Sequence, residues 1–453
     1  MLKNKGIVGS TFVPFKGPWP HRLMAPMARG SHWTRWRTAA VLALALLLFT
    51  SSTQAANPVA VVVKILPGAN LTLINNLLGG TVLDSIPDAN TYLLKVPALP
   101  VLSPVLKLLG VEWIESNRAL SLPRSGQTAL EVPWNNSSAW YGSQPALQMI
   151  RKEAAQQYST GRGIIVADIN SRVDFGHPAL AGHLGAGYDF VANRAYQGAA
   201  ALNDDQSTAG FLDDDQSTAG FLDDDQSTAG FLDGNGIRLL SPLFNSGGGA
   251  SAHGTFCAGL LVTVAPDATI MPLRTFDDNG NSDLFTLAKA IRYARKNGAQ
   301  VLNMSFGTLT DAKVLRDAIE YARAGNVVLI ASAGNDNTAT PQYPAAYAGV
   351  IAVAATDLLD RKASFSNYGG YVFVDAPGTH IISATPGGGY GIANGTSFSA
   401  PMVAGMAALI RSLDYRDTTE VIGRSTVSID AMNPQYSGKL GHGRIDLLSA
   451  VRR

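Results

Sequence analysis

The chain has 453 residues, 46% hydrophobic and 15% charged, enough for one large core plus a smaller companion domain, which excludes wholesale disorder. Its formal net charge is +1, but residues 1–37 hold seven basic side chains and no acid, while residues 204–233 hold nine Asp and no base. The remainder is close to neutral and gives no electrostatic footprint for a nucleic-acid partner, and the single cysteine, Cys257, excludes an intrachain disulfide framework and any multi-cysteine metal site.

In chain order, the apolar run from Ala39 to Phe49 follows Arg35 and Arg37 and precedes small polar residues up to Ala56. It is too short to span a bilayer and suits a secretory signal cleaved near Ala55 or Ala56. The alternative is the start of a buried helix. Met24 and Met27 are alternative start positions for this extension, and a secreted or periplasmic mature chain is the expectation for residues beyond 56.

Residues 57–120 alternate as strand, helix, strand, strand, helix, strand. The predicted strands are Val59–Leu66, Thr81–Ile86, Thr91–Val96 and Val111–Ile114, and the helices are Leu71–Leu78 and Val101–Leu109. Residues 121–143, with Pro123, Gly126, Pro133 and Gly142, read as an exposed linker.

From 144 to 453 the pattern becomes α/β: short apolar strands alternate with amphipathic helices, which implies a parallel sheet between helical layers and a site at the strands' carboxyl ends. The strands are predicted at Gly163–Ile169, Ala268–Leu273, Gln300–Met304, Asn326–Ala331 and Val350–Ala355. The helices are a Ser282-capped one ending at Asn297-Gly298, then Asp311–Ala324 and Met402–Leu413. Within this span, residues 204–233 repeat one ten-residue unit three times. The period matches no solenoid, and consecutive Asp residues lack calcium-loop spacing, so an acidic solvated insertion is expected.

Three segments place a reactive side chain at a strand end or helix start. Ser397 stands in Gly395-Thr396-Ser397-Phe398-Ser399-Ala400-Pro401, where a loop enters a helix and the helix dipole favours developing negative charge. An ordinary capping serine is the alternative. His253 opens a helix with Gly254 and Gly259 beside it, and Asn335 follows Ala333-Gly334 at the end of a buried strand. Each also has a purely structural reading when taken alone.

Together these segments resemble the subtilisin-like serine peptidases. His253-Gly254-Thr255-Phe256-Cys257-Ala258-Gly259, Ser305-Phe306-Gly307, Ala333-Gly334-Asn335 and Gly395 to Pro401 stand in that family's order. An α/β-hydrolase would need Gly-x-Ser-x-Gly, which Ser399 breaks, and a histidine after the serine. The resemblance implies a three-layer α/β domain with a parallel sheet over 144–453, behind a small α+β inhibitory prodomain. It implies Ser397 as nucleophile, His253 as general base, and Asn335 with the Ser397 backbone amide as oxyanion donors. Ser305, Phe306, Gly307 and Gly334 would flank the substrate, and Cys257 resembles the free cysteine beneath the histidine in proteinase K-like members.

At the usual triad acid the pattern departs: Val166-Ala167-Asp168-Ile169-Asn170-Ser171-Arg172 aligns without a gap and puts Asn170 at the acid position. Asn170 accepts a hydrogen bond but carries no charge. Asp168, two residues back on the same strand face, is the candidate substitute acid; reaching His253 would require a register shift or bulge, and Arg172 is a candidate partner for its buried charge. The implied function is an exported serine endopeptidase, a monomer acting on protein or peptide substrates and on its own linker within 118–143. It requires no cofactor, with calcium an optional ion of no assigned site. The alternative is an inactive homologue that keeps the cleft as a peptide-binding groove.

Overall fold

A computed structural model describes residues 58–122, 129–131, 137–196, 239–240, 250–415 and 417–452. The segment expected to be a secretory signal and the acidic repeat lie outside the described residues. The first unit comprises Val59–Ile65 (β1), Leu71–Leu77 (α1), Thr81–Ile86 (β2), Thr91–Val96 (β3), Pro104–Leu108 (α2) and Val111–Ser116 (β4). They make an antiparallel sheet of order β2-β3-β1-β4. The element order matches the sequence pattern. Val61, Val63 and Ile65 alternate onto one face of β1 and pack with Ile74 and Leu106. Val62 points the other way, into the core of the larger unit. A strand buried on both faces explains the unbroken apolar run of β1.

The rest of the chain begins with Ala119–Ser121 (β5), Ala129–Glu131 (β6), and three short helices, Ser137–Ser143 (α3), Pro145–Met149 (α4) and Lys152–Gln156 (α5). Next come Ile165–Asn170 (β7), Gly187–Asp189 (β8), Arg194–Tyr196 (β9), Leu239–Leu240 (β10), Ala250–Val264 (α6), Thr269–Arg274 (β11), Asn281–Asp283 (β12) and Leu284–Lys296 (α7). Val301–Met304 (β13), Lys313–Ala324 (α8), Val328–Ser332 (β14), Val350–Thr356 (β15), Val374–Pro377 (β16), Ile381–Thr385 (β17) and Gly389–Ala393 (β18) follow. The chain closes with Thr396–Arg411 (α9), Thr418–Arg424 (α10), Thr426–Val427 (β19), Arg444–Ile445 (β20) and Leu447–Val451 (α11).

Ten strands form one sheet in the order β19-β20-β16-β15-β14-β13-β7-β11-β8-β9. The pairs from β20 through β8 are parallel, and only the two outermost pairs are antiparallel. One face packs on α6 and α9 around Phe256, Leu260 and Val403. The other packs on α7 and α8 around Leu287, Ile291 and Leu315. This is a three-layer α/β domain, as the alternation of apolar runs and helices implied.

Three readings need correction. The stretch 121–143 is not simply an exposed linker, because β6 pairs antiparallel with both β18 and β10, and α3 packs beside the hairpin β17–β18 with Tyr141 buried. Helix α7 is capped by Asp283, whose carboxylate accepts from Thr286 N and Oγ1 at 2.9 Å each, while Ser282 belongs to β12. Helix α9 begins at Thr396, six residues before the expected start, so Ser397 lies on its first turn and Pro401 inside it.

Candidate active site

Strand β7 runs through the middle of the sheet, between β13 and β11, and delivers Asn170 at its carboxyl end. Helix α6 brings His253 on its first turn. The two are fastened by Gly254, whose N–H donates to Ser171 Oγ at 3.0 Å. The approach is close enough to require glycine: a Cβ there would stand 2.4 Å from Arg172 O and 2.6 Å from Ser171 O. His253 Nδ1 then lies 2.7 Å from Asn170 Oδ1. The same oxygen accepts the backbone N–H of Ser171 at 2.9 Å, which identifies it as the carbonyl end of the amide. An oxygen that only accepts requires His253 Nδ1 to carry the proton, leaving Nε2 as the basic nitrogen.

Asp168 sits one step behind. Its carboxylate accepts from Asn170 Nδ2 at 3.3 and 3.4 Å and from Asn303 Nδ2 at 2.8 Å. The expectation that Asp168 would reach His253 through a bulge is not met. Strand β7 pairs in unbroken register with β11 and with β13, so there is no spare residue to carry Asp168 forward, and the Asn170 amide stands at the imidazole. Arg172 is not its partner either, since that guanidinium pairs with Asp278 at 3.3 Å. Asn303, opposite Asp168 in the register, is the residue that the sequence reading missed. The signal was present: a polar side chain inside the apolar strand Val301–Met304, like Asp168 inside β7.

Burial sets the charges here. It pushes the Asp168 carboxyl up to about 6, against the opposing hydrogen bonds from Asn303 and Asn170. Burial likewise holds His253 down to about 4. The Cys257 thiol is pushed well above its ordinary range, first by burial and then by the Asp168 charge. Its Sγ lies 3.8 Å from His253 Nδ1 and donates to Ser397 O at 3.5 Å.

Ser397 O explains why α9 tolerates a proline. Pro401 has no N–H to give the carbonyl four residues back. Ser305 Oγ donates to Ser397 O at 2.8 Å, and Cys257 adds its weaker S–H. Ser397 Oγ in turn donates to Ser305 O at 3.4 Å. The carboxamide of Asn335 is anchored by its oxygen, which accepts Thr396 N at 2.9 Å and Thr396 Oγ1 at 2.8 Å. That leaves its Nδ2 facing Gly395, 3.7 Å from where a Cβ on that glycine would stand. Ser397, His253, Asn335 and Asn170 therefore converge at the carboxyl ends of β7, β13 and β14, and Asp168 joins them from behind.

Of the four residues expected beside a substrate, Ser305 and the two glycines do come together, but the Phe306 side chain is buried against Phe276, ring centroids 5.6 Å apart. Gly334 adopts φ +108°, a conformation that favours glycine, and added Cβ atoms at Gly334 and Gly307 would meet Gln342 Oε1 at 2.5 and 2.6 Å. Gln342 is thus the wall the two glycines share, and its Nε2 donates to the exposed Asp336 at 2.5 Å. On the other side of the sheet's end, Thr275 N donates to Asn170 O at 2.8 Å, and the chain continues through Gly280 into β12. There β5 pairs antiparallel with β12, and Leu122 N donates to Gly280 O at 2.8 Å. Among the described residues no group of three His, Cys, Asp or Glu is placed to hold a metal ion.

The model of the subtilase family matches residues 161–443. The chain is 32% identical to thermitase of Thermoactinomyces vulgaris over 333 residues, 70% of this chain and 97% of that one. It is 33% identical over 327 residues to a thermophilic serine proteinase of Bacillus sp. (strain AK1), 70% of this chain and 69% of the relative. Among solved structures, fervidolysin from Fervidobacterium pennivorans, a keratinolytic enzyme related to subtilisin, superposes with a TM-score of 0.65 at 22% identity. The likeness covers 89% of this chain and 62% of that one.

Proposed function

The chain belongs to the subtilase family of serine-type peptidases, and from that premise we propose that it is an exported endopeptidase acting on protein or peptide substrates. Ser397 attacks the substrate carbonyl. His253 takes the hydroxyl proton through Nε2 and returns it to the leaving amine, while the Asn335 carboxamide and the Ser397 backbone N–H hold the oxyanion. Asn170 orients His253 without supplying a charge, so turnover is slower than with an aspartate in its place. No step in this scheme passes through a metal or cofactor. The observation that carries the reading is the 2.7 Å contact of His253 Nδ1 with an oxygen that can only accept, which leaves Nε2 basic.

The first unit serves as the chain's own inhibitory prodomain. Its trailing strand β5 lies along β12 as an extended peptide adds to a sheet edge, and the chain is cut within 118–143, separating the two units. The mature peptidase acts as a monomer without nucleic acid. The neutral Asn170 favours a second reading, a peptide-binding groove without turnover.

The two readings part in one experiment: the intact mass of the purified secreted chain, wild type beside Ser397→Ala. A wild type that has lost residues up to the linker, beside a mutant that retains them, supports the peptidase. Retention in both supports the groove. Loss in both identifies a foreign protease, and Ser397 labelling by a fluorophosphonate then decides.

A further inference from the structure

The amide of Asn170 is held at both ends. Its oxygen accepts Ser171 N–H and faces His253 Nδ1, and its nitrogen faces the Asp168 carboxylate. Asp168 is 1% exposed and Asn303, which donates to it at 2.8 Å, is fully buried. A carboxylate is costly in such a place unless hydrogen bonds hold it, and two amide donors aimed at one carboxylate are such a device. We infer that Asp168 is a positioning residue that acts on His253 through the Asn170 carboxamide, polarising the amide so that its oxygen supports the imidazolium in place of a direct carboxylate. The inference deepens the proposed peptidase reading and rests on it for its consequence in rate.

The physical argument is one of alignment. The N–H···O⁻ bond from Asn170 Nδ2 to Asp168 draws electron density toward the carboxamide oxygen, and hydrogen bonds in series strengthen one another. When His253 gains a proton, positive charge, amide dipole and carboxylate lie head to tail among buried side chains, where such interactions are stronger than in water. Few other groups face this chain of contacts. From α6 the titratable neighbours are His253 itself and Cys257, whose thiol stays neutral. From β13 and the residue after it come the neutral Asn303 and Ser305; on β11 Pro272 stands opposite Asp168 and the buried Arg274 opposite Asn170, its guanidinium paired with Asp189 and Asp278 at 2.9 Å each.

The test uses the full chain with Ser397→Ala, observing the His253 Nδ1 proton by NMR and assigning it by its loss in His253→Gln. The resonance should follow the ionisation of Asp168, moving as pH passes about 6, and Asp168→Asn should abolish that movement. In chains that keep Ser397, Asp168→Asn should slow fluorophosphonate labelling about tenfold, the factor carried by one pKa unit of lost imidazolium stabilisation. The double variant D168N/N170D, which moves the carboxylate one step forward, should label faster than Asp168→Asn. A pH-independent resonance in the parent, or one that still titrates after Asp168→Asn, overturns the inference. So does an unchanged labelling rate in Asp168→Asn. If Asp168→Asn fails to fold, the parent's resonance decides, and one that does not move as pH passes about 6 counts against. A wild type that cannot be labelled overturns the peptidase reading alone, because the resonance needs no turnover.

Discussion

Glu115, at the end of β4, accepts the backbone N–H of Val314 at 2.8 Å and of Lys313 at 2.9 Å, so that a residue of the first unit caps helix α8 of the second. The helix lacks a cap of its own: the Ala312 methyl cannot accept a hydrogen bond and the first turn holds no acid. Glu115→Ala should therefore leave two amides unsatisfied and cost about 2 kcal/mol of docking. Hydrogen exchange on the full Ser397→Ala chain reads this directly. The Lys313 and Val314 amides should lose protection by more than tenfold while the core of β14 keeps its own. Unchanged protection would mean that the ion pairs Lys289–Asp84 and Arg292–Asp88 hold the units together without the cap.

Gly254 has no room for a side chain between α6 and the end of β7. Gly254→Ala must push the helix start away from Ser171 and Arg172, which should lengthen the His253–Asn170 contact. Overpacking of this kind costs about 1–3 kcal/mol. Thermal unfolding should show that loss, and Ser397 labelling should fall further than stability alone accounts for. An alanine variant that labels at the wild-type rate would show that the His253–Asn170 geometry is not what sets reactivity.

Much of this was legible because the sheet is buried on both faces. Strands such as β14 and β15 had to be continuous apolar runs, and their helices had to carry a one-sided stripe, so periodicity alone located them. The segments around His253, Asn335 and Ser397 were legible by their order. What escaped was whatever depends on pairing between distant strands. Asp168 meets Asn303 across 135 residues of sequence, and only the β7–β13 register brings them opposite. The start of α9 escaped for a local reason: Pro401 reads as a first-turn residue until Ser305 is seen to supply the bond the proline cannot. The linker reading failed because β6 is three residues long, too short to show alternation, and draws its order from β18.

That replaced bond can be tested. Ser305→Ala should cost about 1–2 kcal/mol, since it leaves a buried carbonyl with only the weak Cys257 donor. Pro401→Ala restores the N–H that a helix would place against Ser397 O. The double variant S305A/P401A should thus be more stable than the sum of the single effects predicts, by about 1 kcal/mol in a double-mutant cycle of urea midpoints. Strict additivity would mean that the carbonyl finds another donor, and that Ser305 acts elsewhere.

The buried pair His253 and Asp168 makes a further prediction about acid stability, with opposite signs for the two groups. His253 has its folded value lowered from 6.5 to about 4, so the unfolded chain binds the extra proton between those limits. Its contribution is present above 6.5 and is lost as pH falls toward 4. Asp168 has its folded value raised from 3.8 to about 6, so the folded chain binds the extra proton. Its contribution is fullest below 3.8 and is lost as pH rises through 6. In the parent the two slopes oppose each other across pH 4–6 and nearly cancel. Asp168→Asn removes one of them, and stability should then fall more steeply between pH 6.5 and 4, by about 3 kcal/mol relative to the parent. His253→Gln should do the reverse and make the chain relatively more stable in acid. All other titrating groups are common to the three chains, so urea unfolding of each at pH 4, 5 and 6.5, in the Ser397→Ala background, isolates the difference. Parallel curves for all three would mean that neither group is shifted by burial in the folded chain.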